Sequence, residues 1–209
     1  MSEEFTMVID GTMVVGQAGQ TVMQVARDND IKIPSLCDSP HLAAFGSCRM
    51  CIVEVDGMRG TPSSCTTPAS SGMQVATTTD RLWDLRRGLT ELYVSEHPLD
   101  CLTCTANGDC ELQDVASEVG LREVRYDNTP SCEGMPIDES NPFFSFDPSK
   151  CIVCSRCIRA CDDIQATHAL SIDGRGFFSR IIAGADELFM DSDCVSCGAC
   201  VNECPVAAL

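Results

Sequence analysis

Cysteine spacing constrains this chain more than any other feature. The 209 residues include sixteen cysteines, and most of them are separated by two or three residues in repeated groups. The N-terminal stretch "MSEEFTMVID" has acidic residues where a secretory signal would have basic ones, and no apolar run follows it. We therefore expect a cytoplasmic protein, in which short cysteine spacings indicate metal ligands rather than disulfides.

The charge balance argues against two classes of partner. The chain has 14 Lys and Arg against 31 Asp and Glu, a formal net charge of −17. This charge repels phosphate backbones and anionic lipids, and no stretch is long and apolar enough to span a membrane. We therefore expect neither nucleic acid nor a membrane as a partner. Aromatic residues make up only 5% of the chain, which predicts small apolar cores that depend on metal–thiolate bonds for stability.

Two cysteine runs in the last third form the most specific motif. "CIVCSRCIRAC" starts at Cys151 and "CVSCGACVNECP" at Cys194, and both read C-x2-C-x2-C-x3-C. The pattern resembles that of two-cluster bacterial ferredoxins, in which the fourth cysteine of each run ligates the other cluster. The resemblance implies two [4Fe–4S] clusters, one on Cys151, Cys154, Cys157 and Cys204 and the other on Cys161, Cys194, Cys197 and Cys200. The alternative is a pair of zinc ribbons, which would not need the third and fourth cysteine of each run.

The first third predicts a small mixed fold. "FTMVID" and "TMVV" flank Asp10-Gly11, a hairpin signal, and "QTVMQVARDN" has apolar residues at helical spacing after Thr21, a candidate N-cap. "CIVEVDG" and "MQVATTT" predict two further strands. The result is a four-stranded sheet that clasps one helix. Near the C-terminus, "ALSIDGRGFFSRIIAG" predicts another pair of strands around an Asp173-Gly174 turn.

The cysteines of the first third are Cys37, Cys48, Cys51 and Cys65. Together with the order of elements, they resemble the plant-type [2Fe–2S] ferredoxin, except that ten residues separate Cys37 from Cys48 instead of four. The longer spacing resembles the [2Fe–2S] domain of the large iron–sulfur subunit of respiratory complex I. The resemblance implies that these four thiolates hold a [2Fe–2S] cluster. Zinc is the competing interpretation.

A fourth ligand set follows a predicted helix. "TDRLWDLRRGLTELYVSEHP" places Leu82, Leu85, Leu89 and Leu92 on one face and ends near Pro98, and "ELQDVASEVGL" predicts a further helix. Between them lie His97, Cys101, Cys104 and Cys110. This H-x3-C-x2-C-x5-C pattern resembles the [4Fe–4S] segment that follows the [2Fe–2S] domain in complex I, several hydrogenases and soluble NAD-linked formate dehydrogenases. The resemblance implies that His97 is the fourth iron ligand. The alternative is a helix-end histidine with Cys132 as the ligand; we interpret Cys132 as a free structural thiol.

The motif order predicts an α+β protein in four parts. These are a plant-type ferredoxin (β-grasp) domain at 1–79, a histidine-ligated segment at 80–120, a linker at 121–141 and a two-cluster ferredoxin-like domain at 142–209. The succession resembles the N-terminal iron–sulfur region of the alpha subunit of cytosolic NAD-dependent formate dehydrogenase, and that of [FeFe] hydrogenases. The resemblance implies a molybdopterin with molybdenum or tungsten, and FMN, on other domains or subunits. The implied partners are a catalytic domain or subunit, of molybdopterin or hydrogenase type, and an FMN- and NAD-binding diaphorase subunit.

The sequence contains no recognisable substrate site. It has no P-loop, no G-x-G-x-x-G after a strand and no serine–histidine–aspartate arrangement, so we assign no catalytic residues. One [2Fe–2S] and three [4Fe–4S] clusters in one chain indicate an electron relay. We expect a module of an NAD-linked formate dehydrogenase, with an NAD(P)-linked hydrogenase module and a zinc-binding scaffold as alternatives.

Overall fold

The structure is a computed structural model that describes residues 3–127 and 132–209. These residues form two compact units. The first comprises Met1–Asp38 and Ala44–Leu89, and the second comprises Ser39–Ala43 and Thr90–Leu209. None of the helices in the described ranges is both long enough and apolar enough to cross a membrane.

The first unit contains the predicted four-stranded sheet. Strands β1 (Glu4–Ile9) and β2 (Thr12–Gln17) form an antiparallel hairpin, and β3 (Glu54–Val55) and β4 (Gln74–Ala76) complete the order β2-β1-β4-β3. Strand β4 runs parallel to β1 and antiparallel to β3. At the hairpin turn, Asp10 and Gly11 both have positive φ, 48° and 78°, as a two-residue type I′ turn requires. The predicted sheet and its first turn are confirmed.

Helix α1 (Val22–Asp28) packs closely on this sheet. Thr21 caps it as predicted, because its side chain accepts a hydrogen bond from the Gln24 amide while the Gln24 side chain accepts one from the Thr21 amide. Gly16 in β2 allows the close approach, since a Cβ there would lie 2.8 Å from Val25. Apolar residues from helix and sheet form the core, joined by Cys51 and Cys65. Two of the predicted ligands of this unit are therefore part of its core.

Helix α2 (Asp80–Ser95) buries a different face from the one predicted. Leu82 is buried, but Leu85 and Leu92 are exposed, so the predicted leucine stripe is wrong. The buried face instead contains Arg86, whose guanidinium donates hydrogen bonds to the carbonyl oxygens of Met50 (3.2 Å), Thr77 (2.8 Å) and Ile52 (2.8 Å). A pattern of apolar residues cannot reveal a face that is buried through a hydrogen-bonded arginine.

The second unit is built from short elements. Its helices are α3 (Glu111–Glu118), α4 (Arg156–Arg159), which continues into a wide π-type turn at Ala160–Gln165, and α5 (Ala199–Glu203). Its antiparallel strands are β5 (Leu170–Asp173) and β6 (Arg180–Ala183), and 3-10 turns lie at Cys101–Thr103, Pro148–Lys150, Gly176–Phe178 and Phe189–Asp191. The predicted strand pair is confirmed. Its connection is longer than the predicted Asp173-Gly174 turn, because the 3-10 turn intervenes before Arg180 pairs with Asp173.

Candidate metal centres

The four cysteines of the first unit lie together and are all buried. The sulfur atoms of Cys51 and Cys65 are 3.3 Å apart, and the Cys48 amide donates to the Cys37 sulfur at 3.4 Å. The Met50 amide donates to the Cys48 sulfur at 3.5 Å. Amide donors of this kind stabilise thiolates, which are the form that binds metal.

Each cysteine pair of this site shares a proton unevenly. The hydrogen bond from Cys48 lowers the pKa of Cys37 to about 5, and the same contact raises the pKa of Cys48. The hydrogen bond from Cys65 lowers the pKa of Cys51 to about 7 and, in turn, raises the pKa of Cys65. Cys37 also acts electrostatically on Cys51 and Cys65, so all four sulfurs lie within one field. A cationic iron centre would neutralise this concentrated negative charge.

The histidine set lines a cavity of the second unit. The volume of this cavity is about 130 Å³, and all four predicted ligands line it: His97, Cys101, Cys104 and Cys110. Apolar side chains, among them Val94 and Leu112, form other parts of its wall. A cluster requires such a space between its ligands, and apolar walls limit the access of water to it.

The imidazole of His97 is oriented for metal binding through Nε2. Its Nδ1 atom lies 2.9 Å from the carbonyl oxygen of Pro98, and because a carbonyl only accepts, Nδ1 carries the proton. The Nε2 atom, which is buried, then has the lone pair. Burial lowers the pKa of His97, which favours the neutral imidazole that ligates metal. A backbone carbonyl on the other ring nitrogen is a common partner of metal-ligating histidines.

Two further cavities each bring together four cysteines from both runs. One cavity is lined by Cys151, Cys154, Cys157 and Cys204. The other is lined by Cys161, Cys194, Cys197 and Cys200. The fourth cysteine of each run thus lies with the first three of the other. This placement agrees with the crossed assignment made from the sequence, while ligation itself stays a prediction.

The two runs also repeat each other in backbone geometry. The Val153 amide donates to the Cys151 sulfur at 3.4 Å, and the Ser196 amide donates to the Cys194 sulfur at 3.4 Å. Both Val153 and Ser196 have positive φ, 51° and 55°. This conformation is unfavourable for a β-branched valine, and such strain is typical of ligand-binding loops.

Burial raises the pKa of a thiol at each of these two cavities. It raises the pKa of Cys151 and of Cys200 to about 12, and neighbouring cysteines add to the shift. Iron binding would therefore release protons, since thiolates are the ligands. Among the described residues, no three His, Cys, Asp or Glu side chains converge on a single metal ion. The chemistry of the donor sets and the cavities they line fit iron–sulfur clusters.

Cys132 lies near Cys151, a member of the predicted ligand set that also contains Cys204. Its thiol acts electrostatically on Cys151 and contributes to the raised pKa of that residue. Its role as a structural thiol stays a prediction.

Charged residues next to the ligands were missed by sequence reasoning. Arg156 forms a two-pronged ion pair with Glu111, with both N–O distances 2.6 Å, and Lys150 pairs with Asp100. Each of the four residues directly adjoins a predicted cysteine ligand in the chain. The available signal was that three of only 14 basic residues directly adjoin a predicted cysteine ligand, namely Arg49, Lys150 and Arg156.

Comparisons with known proteins cover nearly the whole chain. Three family models match in succession: a 2Fe-2S iron-sulfur cluster binding domain at residues 2–80, the NADH-ubiquinone oxidoreductase-G iron-sulfur binding region at 86–125, and a 4Fe-4S dicluster domain at 150–208. A crystal structure of an NAD+-reducing [NiFe]-hydrogenase contains a chain that matches with a TM-score of 0.88 and 34% identity, over 98% of this chain and 86% of that one. The chain belongs to the iron–sulfur protein family shared by NADH-quinone oxidoreductases and NAD-reducing hydrogenases.

Curated members of this family are larger. The HndD chain of an NADP-reducing hydrogenase from Solidesulfovibrio fructosivorans is 38% identical over 98% of this chain. A G-type chain of the NADH-quinone oxidoreductase of Rhizobium meliloti is 33% identical over 96%, and the formate dehydrogenase candidate SH0748 of Staphylococcus haemolyticus is 30% identical over 100%. The chain spans 35%, 23% and 21% of these relatives, respectively.

Family membership confirms the main expectations from the motifs. The chain is an α+β iron–sulfur protein with a [2Fe–2S] ferredoxin domain followed by a [4Fe–4S] dicluster domain. Its relatives are named as subunits of a hydrogenase and of an NADH-quinone oxidoreductase, and the chain shares their iron–sulfur region. The predicted domain limits, the number of clusters and the individual ligands stay predictions.

Proposed function

We propose that this chain carries a four-cluster electron relay, with one [2Fe–2S] and three [4Fe–4S] clusters. The observation that carries the proposal is the grouping of the predicted ligands. Three sets line separate cavities, and the fourth forms a buried group of cysteines with amide donors on its sulfurs. When bound, such clusters accept and donate single electrons.

The residues of the chain have three tasks in this proposal. The predicted ligand cysteines and His97 would hold the iron, and the apolar side chains that line the cavities limit the access of water. Backbone amides such as those of Val153 and Ser196 donate to the ligand sulfurs, and hydrogen bonds of this kind raise reduction potentials. A neutral imidazole in place of a thiolate makes the His97 cluster less negative, which also raises its potential. We place substrate conversion on other domains or subunits.

Formate oxidation coupled to NAD is the activity that the sequence favours for the complete enzyme. It would require a molybdopterin with molybdenum or tungsten on a catalytic partner, and FMN on a diaphorase partner. The intact second cysteine run and the match to a formate dehydrogenase candidate support this choice.

An NAD(P)-linked hydrogenase module is the second candidate. It is supported by the 38% identity to the hydrogenase chain HndD and by the match to the NAD+-reducing [NiFe]-hydrogenase structure. A zinc scaffold is disfavoured, because all three family models describe iron–sulfur binding.

Metal analysis and activity of the purified complex separate these candidates. A formate dehydrogenase contains molybdenum or tungsten and reduces NAD with formate, whereas a hydrogenase contains nickel or an additional iron site and reduces it with hydrogen. Absence of both activities in an iron-loaded complex would contradict both assignments and leave only the relay. Colourless protein with stoichiometric zinc would contradict the relay as well.

A further inference from the structure

Arg156 is a buried cation inside a predicted ligand run. It lies between Cys154 and Cys157 as the first residue of α4, and it is only 5% exposed. Its Nη1 and Nη2 atoms donate to the two carboxylate oxygens of Glu111, each at 2.6 Å. A two-pronged pair of this kind fixes both the position and the plane of the guanidinium.

The third nitrogen of this guanidinium, Nε, differs from the other two. The Nε atom of Arg156 is buried and has no hydrogen-bond partner among the described residues. A buried N–H without an acceptor costs free energy, so one in a ligand loop indicates an acceptor that belongs to the loaded site.

Glu111 joins two predicted cluster sites. It directly follows Cys110, a residue of the histidine set, and its amide donates at 2.9 Å to the carbonyl oxygen of Pro205, which directly follows Cys204. The ion pair between Asp100 and Lys150 repeats this relationship, because Asp100 precedes Cys101 and Lys150 precedes Cys151. Both ion pairs therefore link residues next to the histidine set with residues next to the set that contains Cys151.

We propose that Arg156 is a positioning and tuning residue for the [4Fe–4S] cluster on Cys151, Cys154, Cys157 and Cys204, with its Nε–H donating to a sulfur of that site and its other nitrogens held by Glu111. This inference rests on the proposed function. A nearby cation and a hydrogen bond to sulfur both stabilise the more negative, reduced state. Arg156 thus raises the reduction potential of this cluster, and the carboxylate of Glu111 opposes that effect by its charge.

Charge variants on the two sides of the pair give opposite expected results. In the anaerobically purified complex, Arg156→Gln lowers the midpoint potential of this cluster, whereas Glu111→Gln raises it. Arg156→Lys retains the charge and restores part of the wild-type potential. The potentials are measured by redox titration followed by electron paramagnetic resonance. The signal that disappears in Cys204→Ser identifies the cluster concerned.

Arg125→Gln is the matched control. Arg125 also donates through Nε and an Nη atom to a glutamate, Glu91, but its side chain is 68% exposed and solvent screens its charge. We expect wild-type iron content and potential in this variant. If Glu111→Gln contains as much iron as the wild type, a change in its potential reflects tuning of the cluster and not a loss of cluster assembly.

The inference is overturned if the midpoint potential shifts in the same direction in Arg156→Gln and Glu111→Gln. It is also overturned if these variants lose iron but the potential of the remaining cluster does not shift. Arg156 would then be a purely structural residue. If Arg156→Gln fails to assemble, Glu111→Gln and Arg156→Lys decide, and an unchanged potential in Glu111→Gln contradicts the inference. A wild-type complex that lacks the [4Fe–4S] signals contradicts the proposed function itself, and this result is visible before any variant is made.

Discussion

The guanidinium of Arg86 donates a 2.8 Å hydrogen bond to the carbonyl oxygen of Ile52, the residue that follows Cys51. A second bond, of 3.2 Å, reaches the carbonyl oxygen of Met50, on the other side of the same cysteine. Arg86 therefore holds the backbone on both sides of a predicted [2Fe–2S] ligand.

Arg86→Met should destabilise the first unit strongly. The substitution leaves buried carbonyl oxygens without their charged donor, and we expect a loss of about 3 kcal/mol in the free energy of unfolding. Urea unfolding can be followed by the emission of Trp83, whose ring centroid lies 5.1 Å from the Arg86 guanidinium carbon. Arg87→Met is the control, because the Arg87 side chain is 47% exposed and its loss should change stability by less than about 0.5 kcal/mol. Equal stability of the two variants would contradict the role given to Arg86.

The crossed ligand assignment predicts which substitutions act together. Cys204→Ser should abolish the same [4Fe–4S] signal as Cys151→Ser, although the two residues belong to different runs. Cys161→Ser should act like Cys194→Ser instead. The physical reason is that each pair lines one cavity. Electron paramagnetic resonance of the four reduced variants provides the measurement. If Cys151→Ser and Cys161→Ser abolish the same signal, the runs are not crossed.

Substitution of His97 should separate ligation from a structural role. His97→Cys should retain its cluster and lower the potential, because a thiolate adds negative charge. His97→Ala should lose the cluster or leave it labile, and Cys132→Ser should change neither its iron content nor its signal. If Cys132→Ser damages this cluster while His97→Ala leaves the signal intact, the histidine assignment is wrong.

Iron removal should unfold one part of the chain and spare another. The first unit has an apolar core that includes Met7, Ile9 and Val25, whereas α4 and α5 contain four and five residues and are too short to be stable alone. After chelation of iron, hydrogen exchange should become fast in α4 and α5 and stay slow in β1 and β2. Retained protection of α4 and α5 in the iron-free chain would contradict this dependence on metal.

Local patterns in the sequence were sufficient to predict those elements that depend only on residues close by in the chain. The Asp10-Gly11 turn needs only two residues that tolerate positive φ, and the cap at Thr21 needs only Gln24 three positions later. The two cysteine runs also indicated which thiols line each cavity, because they resemble those of two-cluster bacterial ferredoxins, in which the fourth cysteine of each run belongs to the other set.

Long-range polar contacts could not be predicted in the same way. The buried face of α2 depends on backbone carbonyls that precede Arg86 by up to 36 positions in the chain. The pair of Arg156 with Glu111 joins residues 45 positions apart. Neither contact leaves a periodic signal, so the residues that surround the predicted ligands emerged only from the three-dimensional structure.

Iron and acid-labile sulfide per chain test the central claim most directly. One [2Fe–2S] and three [4Fe–4S] clusters predict about 14 iron atoms, with about as many sulfides and almost no zinc. The measurement requires protein purified without oxygen, so that clusters are not lost before analysis. A value near 14 supports the four-cluster relay, and about four iron atoms with stoichiometric zinc would contradict it.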